Sequence, residues 1–544
     1  MTQAGLRRHA LTLMDEDLRS MQEARLLVRR AQAAQQKYKT FTQQQVDRIV
    51  AAMAEAGARE AERLGRMAYE ETGFGRPESK TQKNLFATRT LQARMVDMKT
   101  VGIIRTLEAD TIWEVAVPMG VVAALIPSTN PTSTAMYKVL IAAKARCGLV
   151  MSPHPRARQC TAEALRVVAE AAYAAGAPRD LFGCMTEIAL AGTDALLEDP
   201  GTDVILATGG NAMVRAAYSK GKPAYGVGSG NVPVYVDRSA DLAKAAADLL
   251  YGTSFDWGTL CSTERSVVAD LPIRGKLIEA LRQEGAFFLD DAQKEQLRRV
   301  VAPGGRLNIE QVGRSPAHIA AMAGFSVPPE TRALVAEVDR VGKEEPLSME
   351  TLSPILSFYT ADGWEAGCAR CIEVLHFGGI GHTLALHCTN DRIIRAFALE
   401  KPAMRIVVNT VAALGSVGYT NRLFPAMTLG PGTIGGSITS DNISPLHLLN
   451  IKRLAFETEP INPPAEQPKK HPRKAPAGAS GFGWIEEIEA RLRARAGNPG
   501  RPAVLPAPAP PPSEPVGAPT APERAPLALP ESEIERLIRQ FRKP

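Results

Sequence analysis

The sequence predicts an α/β protein, built on a doubly wound parallel sheet and followed by a disordered tail. Three features predict it. Short apolar runs of the buried-strand type alternate with helix-length segments. Each run closes on a polar or glycine-containing turn, and near residue 457 the composition changes abruptly to proline and alanine.

At 544 residues the chain exceeds one hydrophobic core and calls for two or three domains with appendages. It is 45% hydrophobic and 22% charged, ordinary for a soluble protein. A net charge of +6, spread along the chain, does not point to nucleic acid. The seven cysteines (147, 160, 184, 261, 368, 371 and 388) are odd in number and irregularly spaced, which favours a reducing compartment. Cys368-Ala-Arg-Cys371 has metal-ligand spacing, but no second pair or histidine stands at zinc distance, so a structural role is expected. With no 18-residue apolar stretch and no signal-peptide layout at the N-terminus, a cytosolic location and no membrane contact are expected.

Residues 16–98 read as helices. Leu18, Met21, Ala24, Leu27 and Val28 recur at helical spacing, as do Val46, Ile49, Val50, Met53 and Ala56, and Gly73-Phe-Gly-Arg-Pro77 breaks the array. Residues 101–117 alternate like an antiparallel hairpin with Glu108–Asp110 at its turn. Val121–Ile126 is a buried-strand run closed by Pro127-Ser-Thr-Asn-Pro131, with a helix over 135–147. Gly148–Met151 followed by Ser152-Pro-His-Pro155, and Asp203–Ala207 followed by Thr208-Gly-Gly-Asn211, repeat the pattern. Such sheets bind nucleotides at the carboxyl ends of their strands.

Glycines between a strand and a helix let backbone N–H groups approach a pyrophosphate, so Thr208, Gly209 and Gly210 read either as such a site or as a plain tight turn. The G-x-G-x-x-G fingerprint is absent. About fifty residues on, Cys261 in Gly258-Thr-Leu-Cys-Ser-Thr-Glu-Arg265 precedes a strand-like run and is expected on an exposed turn. It reads as a nucleophile in a cleft or as a small core residue.

Taken in order, Pro127-Ser-Thr-Asn130-Pro, Ala207-Thr-Gly-Gly210, Gly226-Val-Gly-Ser-Gly-Asn-Val-Pro233, Gly258-Thr-Leu-Cys261 and Glu350-Thr-Leu-Ser-Pro354 resemble the aldehyde dehydrogenase superfamily. More narrowly they resemble its CoA-acylating branch, the acetaldehyde and propionaldehyde dehydrogenases of bacterial microcompartments. The resemblance covers roughly residues 16–457, including Glu70–Gly75, Gly381-His-Thr383, Val408-Asn-Thr410 and His447–Lys452. It implies Cys261 as the nucleophile that forms a thiohemiacetal, then an acyl thioester. It implies Asn130 and the Cys261 backbone N–H as oxyanion donors, although an Asx-turn before Pro131 is an alternative for Asn130. By the same resemblance Thr208, Gly209, Gly210, Ser152, Pro153 and Gly228 bind the cofactor, and Glu350 holds the nicotinamide ribose.

Hydrolytic relatives carry a water-activating glutamate where Val227 stands, and no acidic residue lies between Gly221 and Val236. Water has a pKa of about 15.7 and needs a base, whereas a thiol at roughly 8.5 is partly ionised near neutrality. The thioester is therefore expected to pass to coenzyme A. Ser152-Pro-His-Pro155 lacks the acidic residue that excludes a 2′-phosphate, so NAD is expected on resemblance with NADP open. His382 and His387 are expected to be structural, within a strand.

Residues 460–530 hold 18 of the 40 prolines and read as an extended linker. A helical island, 482–495, sets Trp484 or Ile485, Ile488 and Leu492 on one face. In 531–544, Ile534, Leu537, Ile538 and Phe541 stand at i, i+3, i+4, i+7 behind a Ser532/Glu535 capping box. The last segment is similar to encapsulation peptides that bring enzymes to microcompartment shells; packing on its own enzyme is the alternative.

The expected organisation is a cofactor domain over 1–235 and a catalytic domain over 236–430. Hairpin 101–117 and segment 431–457 would form an oligomerisation arm, as the resemblance implies, and 458–530 is linker. The expected function is oxidation of acetaldehyde or propionaldehyde to acyl-CoA by a homo-oligomer, dimer or tetramer, in a microcompartment lumen. A hydrolytic aldehyde dehydrogenase and a non-catalytic shell-binding scaffold are the alternatives.

Overall fold

Asp15 opens the first helix, Glu16–Tyr38, by accepting the Asp17 N–H on its carboxylate. Thr42 and Gln45 form a capping box on the second, Gln43–Arg59, and Gly73, at φ +68°, ends the third, Ala61–Thr72. Ala24, Val28, Val46, Ile49, Val50 and Met53 are buried as the periodicity predicts, but Leu18 is 56% exposed at the start of its helix. The structure, a computed structural model, describes residues 15–462, and the described residues up to Pro460 form one unit. The helical segments expected at 482–495 and 531–544 lie outside the described residues.

Strands β1 (Gly102–Leu107) and β2 (Ile112–Pro118) form the expected hairpin, with Glu108, Ala109 and Asp110 all at positive φ in the turn. A five-stranded parallel sheet follows: β3 (Val121–Ile126), β4 (Gly148–Pro153), β5 (Phe182–Cys184), β6 (Val204–Thr208) and β7 (Ala224–Val227), in the order β5-β4-β3-β6-β7. All six residues of β3 are buried, which explains its uninterrupted apolar run. Each Val, Leu or Ile so buried contributes about 1.5–3 kcal/mol. Strand order reverses between β3 and β6, and at such a switch point the loops at the carboxyl ends part to leave a crevice.

A second, seven-stranded parallel sheet contains β8 (Val232–Val236), β9 (Glu264–Asp270), β10 (Ala286–Phe288), β11 (Ala333–Glu337), β12 (Ile355–Ala361), β13 (Leu384–His387) and β14 (Ile406–Val408), ordered β10-β11-β12-β9-β8-β13-β14. Its first strand starts at Val232, so the passage between sheets falls in 228–231, a few residues before the expected boundary. Val411, Leu414, Val417, Met427 and Leu429 return to the core beneath the first sheet. β15 (Leu449–Ala455) then pairs antiparallel with β2, completing the three-stranded arm, and Phe456 packs edge-on against Trp113 at 5.4 Å. Cys368 and Cys371 are buried in helix Gly363–Phe377. Among the described residues no helix is long and apolar enough to cross a membrane.

Candidate active site

The loop before β9 is held in a strained form. Asp256, Trp257 and Gly258 take left-handed backbone in succession, with φ of 49°, 48° and 73°. For the two non-glycine residues this costs of order 1 kcal/mol each, so the surroundings must enforce it. The Asp256 carboxylate accepts the Arg76 N–H (2.7 Å), the Thr259 hydroxyl (2.5 Å), Lys80 Nζ (3.2 Å) and Lys83 Nζ. Arg76 lies over the Trp257 ring at 5.1 Å. Arg265 reaches back from β9 and donates to the carbonyls of Ser353 (2.8 Å) and Gly258. Cys261 stands on the turn so fixed. Gly230 packs behind it, where a Cβ would lie 2.1 Å from the Cys261 carbonyl oxygen.

A cleft of about 350 Å³ opens at the switch point, between the carboxyl ends of β3 and β6 and the loops preceding β9 and β12. Asn130, Thr208, Gly209, Gly210, Gly228, Glu350 and Cys261 all line it, although they are spread over 221 residues of sequence (130 to 350). Ser152 and Pro153 do not. Ser152 is buried with its hydroxyl 2.8 Å from that of Thr193, Pro153 is in register with Ile126 inside the sheet, and His154 and Arg156 form that part of the wall. Val227 lines the cleft at 1% exposure. Glu350 is the one carboxylate among the described lining residues, and its Oε1 accepts the Gly230 N–H at 3.0 Å.

Cys261 is only partly exposed, not fully so as expected from its turn. Burial, then the nearby Glu350 carboxylate, push its thiol up to about 12, so it rests protonated. His382 Nε2 lies 3.2 Å from Sγ, and its Nδ1 lies 3.0 Å from the Thr383 hydroxyl. Burial, aided by Arg405, holds the imidazole down at about 3 and therefore neutral. A neutral ring with Nδ1–H on Thr383 presents a lone pair to the thiol. The expectation that His382 sits in a strand, remote from chemistry, is thus corrected: it precedes β13, whereas His387 ends that strand and is buried. The adjacent buried Thr383 was the available sequence signal.

Asn130 is the N-cap residue of helix Pro131–Lys144, but its side chain caps nothing, so the Asx-turn alternative fails. Its Nδ2 donates to the Thr259 carbonyl (3.2 Å) and the Thr129 hydroxyl (3.1 Å), and its Oδ1 accepts Lys83 Nζ at 2.5 Å. The amide therefore bridges directly to the cysteine loop. Gly210 is the N-cap of helix Asn211–Tyr218 with no side chain capping it, and a Cβ there would meet nothing within 4 Å. Neither Gly209 nor Gly210 has positive φ, so local backbone geometry does not demand glycine. Gly209 donates its N–H to the Val227 carbonyl at 3.4 Å, so the N–H groups that fit a phosphate are those at the uncapped start of helix Asn211–Tyr218.

One neighbouring group makes stability depend on pH. Glu264 is buried on β9; its Oε1 accepts the Ala412 N–H (2.6 Å), its Oε2 has no partner, and burial pushes it up to about 8. Folded and unfolded chains both hold this proton below about pH 4.5, and only the folded chain holds it between there and pH 8. Stability should fall across that window by a few kcal/mol from this group. Glu264→Gln, an isostere of the protonated acid, is expected to flatten the dependence and raise Tm at pH 8, as calorimetry at pH 5 and 8 would register.

A nucleotide-type switch point facing a cysteine, an amide and an imidazole is an arrangement in which a thiol can act as nucleophile beside a nucleotide. Comparison with known proteins gives the family. The sequence model of the aldehyde dehydrogenase family matches residues 12–288. The structure of an acetylating aldehyde dehydrogenase from Geobacillus thermoglucosidasius is 48% identical with a TM-score of 0.81, over 84% of this chain and 100% of that one. That of a propionaldehyde dehydrogenase from Rhodopseudomonas palustris, with bound CoA and an acylated cysteine, is 29% identical with a TM-score of 0.73, over 80% and 97%. The bifunctional aldehyde-alcohol dehydrogenase AdhE of Escherichia coli (strain K12) is 40% identical over 442 residues, 80% of this chain and 50% of the relative. The chain belongs to the aldehyde dehydrogenase family, and it spans about half the length of that curated relative.

Proposed function

We propose that the chain oxidises acetaldehyde or propionaldehyde to the acyl-CoA with reduction of NAD. The observation that carries this reading is a cleft shared by Cys261, Asn130 and the Thr208–Gly210 turn, with Val227 in place of a water-activating carboxylate. The acylated cysteine and CoA of the propionaldehyde dehydrogenase support the same reading.

His382 Nε2 orients the Cys261 thiol, which loses its proton to solvent as Sγ bonds to the aldehyde carbon and the carbonyl pair moves onto oxygen. Asn130 Nδ2, released from the Thr259 carbonyl, and the Cys261 N–H stabilise that oxyanion. Its collapse expels hydride and leaves a thioester on Cys261. A nicotinamide, when bound, supplies the hydride acceptor; Thr208, Gly209, Gly210 and Gly228 would hold the dinucleotide, with Glu350 at the ribose. The CoA sulfur then attacks the thioester carbon, and the departing Cys261 thiolate takes the proton of the incoming thiol, so the proton lost from Cys261 at the start is the one released overall. Water competes poorly because Val227 offers no base.

Arg156 favours a second reading of the cofactor. It lines the cleft beside the end of β4, and a guanidinium there suits a 2′-phosphate. NADH and NADPH formation, measured by absorbance with either aldehyde, with and without CoA, tests both points. CoA-dependent turnover is expected. Turnover without CoA would install the hydrolytic reading, and none at all the scaffold reading.

The arm of β1, β2 and β15 is proposed as the contact of a homo-oligomer; Leu454 and Phe456 on it are 43% and 50% exposed. Segment 531–544 is proposed to bind shell proteins of a microcompartment through Ile534, Leu537, Ile538 and Phe541, since so short a helix is marginal without a partner. Truncation after Phe456 keeps the Trp113 contact. The truncated enzyme should retain activity and no longer co-purify with shells; continued co-purification would end the targeting proposal.

A further inference from the structure

Behind Asn130 lies a closed cluster of charge. Lys80 and Lys83, one turn apart on helix Pro77–Leu85, both reach Asp256, and all three are buried, at 2%, 3% and 0% exposure. Lys80 also donates to the Thr129 carbonyl (3.1 Å) and Lys83 to Asn130 Oδ1 (2.5 Å). Two ammonium groups therefore share one carboxylate. Burial is the main influence on Lys83 and lowers it to about 7; Asp256 opposes that and Lys80 adds to it. For Asp256 burial raises the carboxyl, but the two lysines outweigh it and keep the group ionised. Stability does not call for this arrangement, because the Lys80–Asp256 pair is neutral by itself and removing Lys83 strands no charge. The surplus cation instead stands against the amide whose other end lies on the cysteine loop, 3.2 Å from the Thr259 carbonyl.

We propose that Lys83 is a positioning residue for the oxyanion donor, its ammonium fixing and polarising the Asn130 amide so that negative charge on the aldehyde oxygen completes the cluster. The proposal rests on the acylating reading above. An amide whose oxygen binds a cation is a stronger N–H donor, and the effect is largest in a site closed to water. The groups facing Lys83 are Lys80 on its own helix, Asp256 on the cysteine loop, Asn130 on the loop after β3, and Phe86, Leu414 and Tyr419 on its apolar side.

The test uses the full chain, with Lys83→Met, Lys83→Gln, Asn130→Ala and each double variant, followed by acyl-CoA formation and single-turnover hydride transfer. Lys83→Met should lower kcat about 10- to 100-fold, less than the roughly 10²–10³-fold of losing a donor outright, with KM for CoA unchanged. Lys83→Gln keeps a donor to Oδ1 without the charge and should fall between Met and wild type, covering the case in which Lys83→Met folds poorly. In the Asn130→Ala background either change should cost nothing further, because Lys83 acts through the amide. The wild-type pH profile of kcat/KM should bend near pH 7, where Lys83 loses its proton and its help, and the Lys83→Gln profile should not. Full activity of both Lys83 variants, or losses that multiply with Asn130→Ala, would overturn the proposal. A wild-type chain that turns over no aldehyde would instead overturn the acylating reading, and the proposal with it.

Discussion

Cys261→Ala should lower acyl-CoA formation by at least roughly 10⁴-fold, as removal of a covalent nucleophile does. No other thiol can substitute. Among the described residues Cys147, Cys160, Cys368, Cys371 and Cys388 are buried, and Cys184, partly exposed at β5, does not line the cleft. The fold should survive, because Sγ is partly exposed and its hydrogen bond is to His382 alone, while Arg265 and Asp256 hold the loop through other atoms. The stability change should stay within about 1 kcal/mol. Thermal melting and calorimetric nucleotide binding near wild-type values, together with absent NADH formation, would separate loss of chemistry from loss of structure.

Asn130→Ala should cost about 10²–10³-fold in kcat, the loss seen when one preorganised oxyanion donor is removed. The backbone N–H of Cys261 remains, so activity falls without vanishing. A structural cost accompanies it: Lys83 keeps only Asp256 and the Thr259 carbonyl loses a donor, each worth about 1–3 kcal/mol if left unmet inside the protein. The signature of the catalytic role is slower single-turnover hydride transfer with unchanged nucleotide affinity. Equal loss of both would show that the change merely loosens the loop.

Much of the cleft was legible because its residues sit where local patterns are strong. β3 is an unbroken apolar run, Asn130 follows it on a polar turn, and Thr208-Gly-Gly closes β6 in the same way. Ser152 and Pro153 belonged to the right strand end, but a residue-level pattern cannot tell which side chains turn inward, and the wall there is His154 and Arg156. His382 was hidden because the alternation of β13 continues back through it in the sequence, whereas the strand itself begins at Leu384. Lys80, Lys83 and Asp256 carry no local signal at all. They meet across more than 170 positions, and only the strained turn at Asp256 and Trp257 brings the carboxylate under the two lysines.

The measurement that bears most directly on the central claim is the intact mass of the protein after incubation with propionaldehyde and NAD without CoA, before and after CoA is added. The expected result is one acyl group on Cys261 that persists in water, is discharged by CoA, and is absent from Cys261→Ala. Sustained NADH formation without CoA and without a lasting adduct would contradict the account, because water would then be reaching the thioester beside Val227.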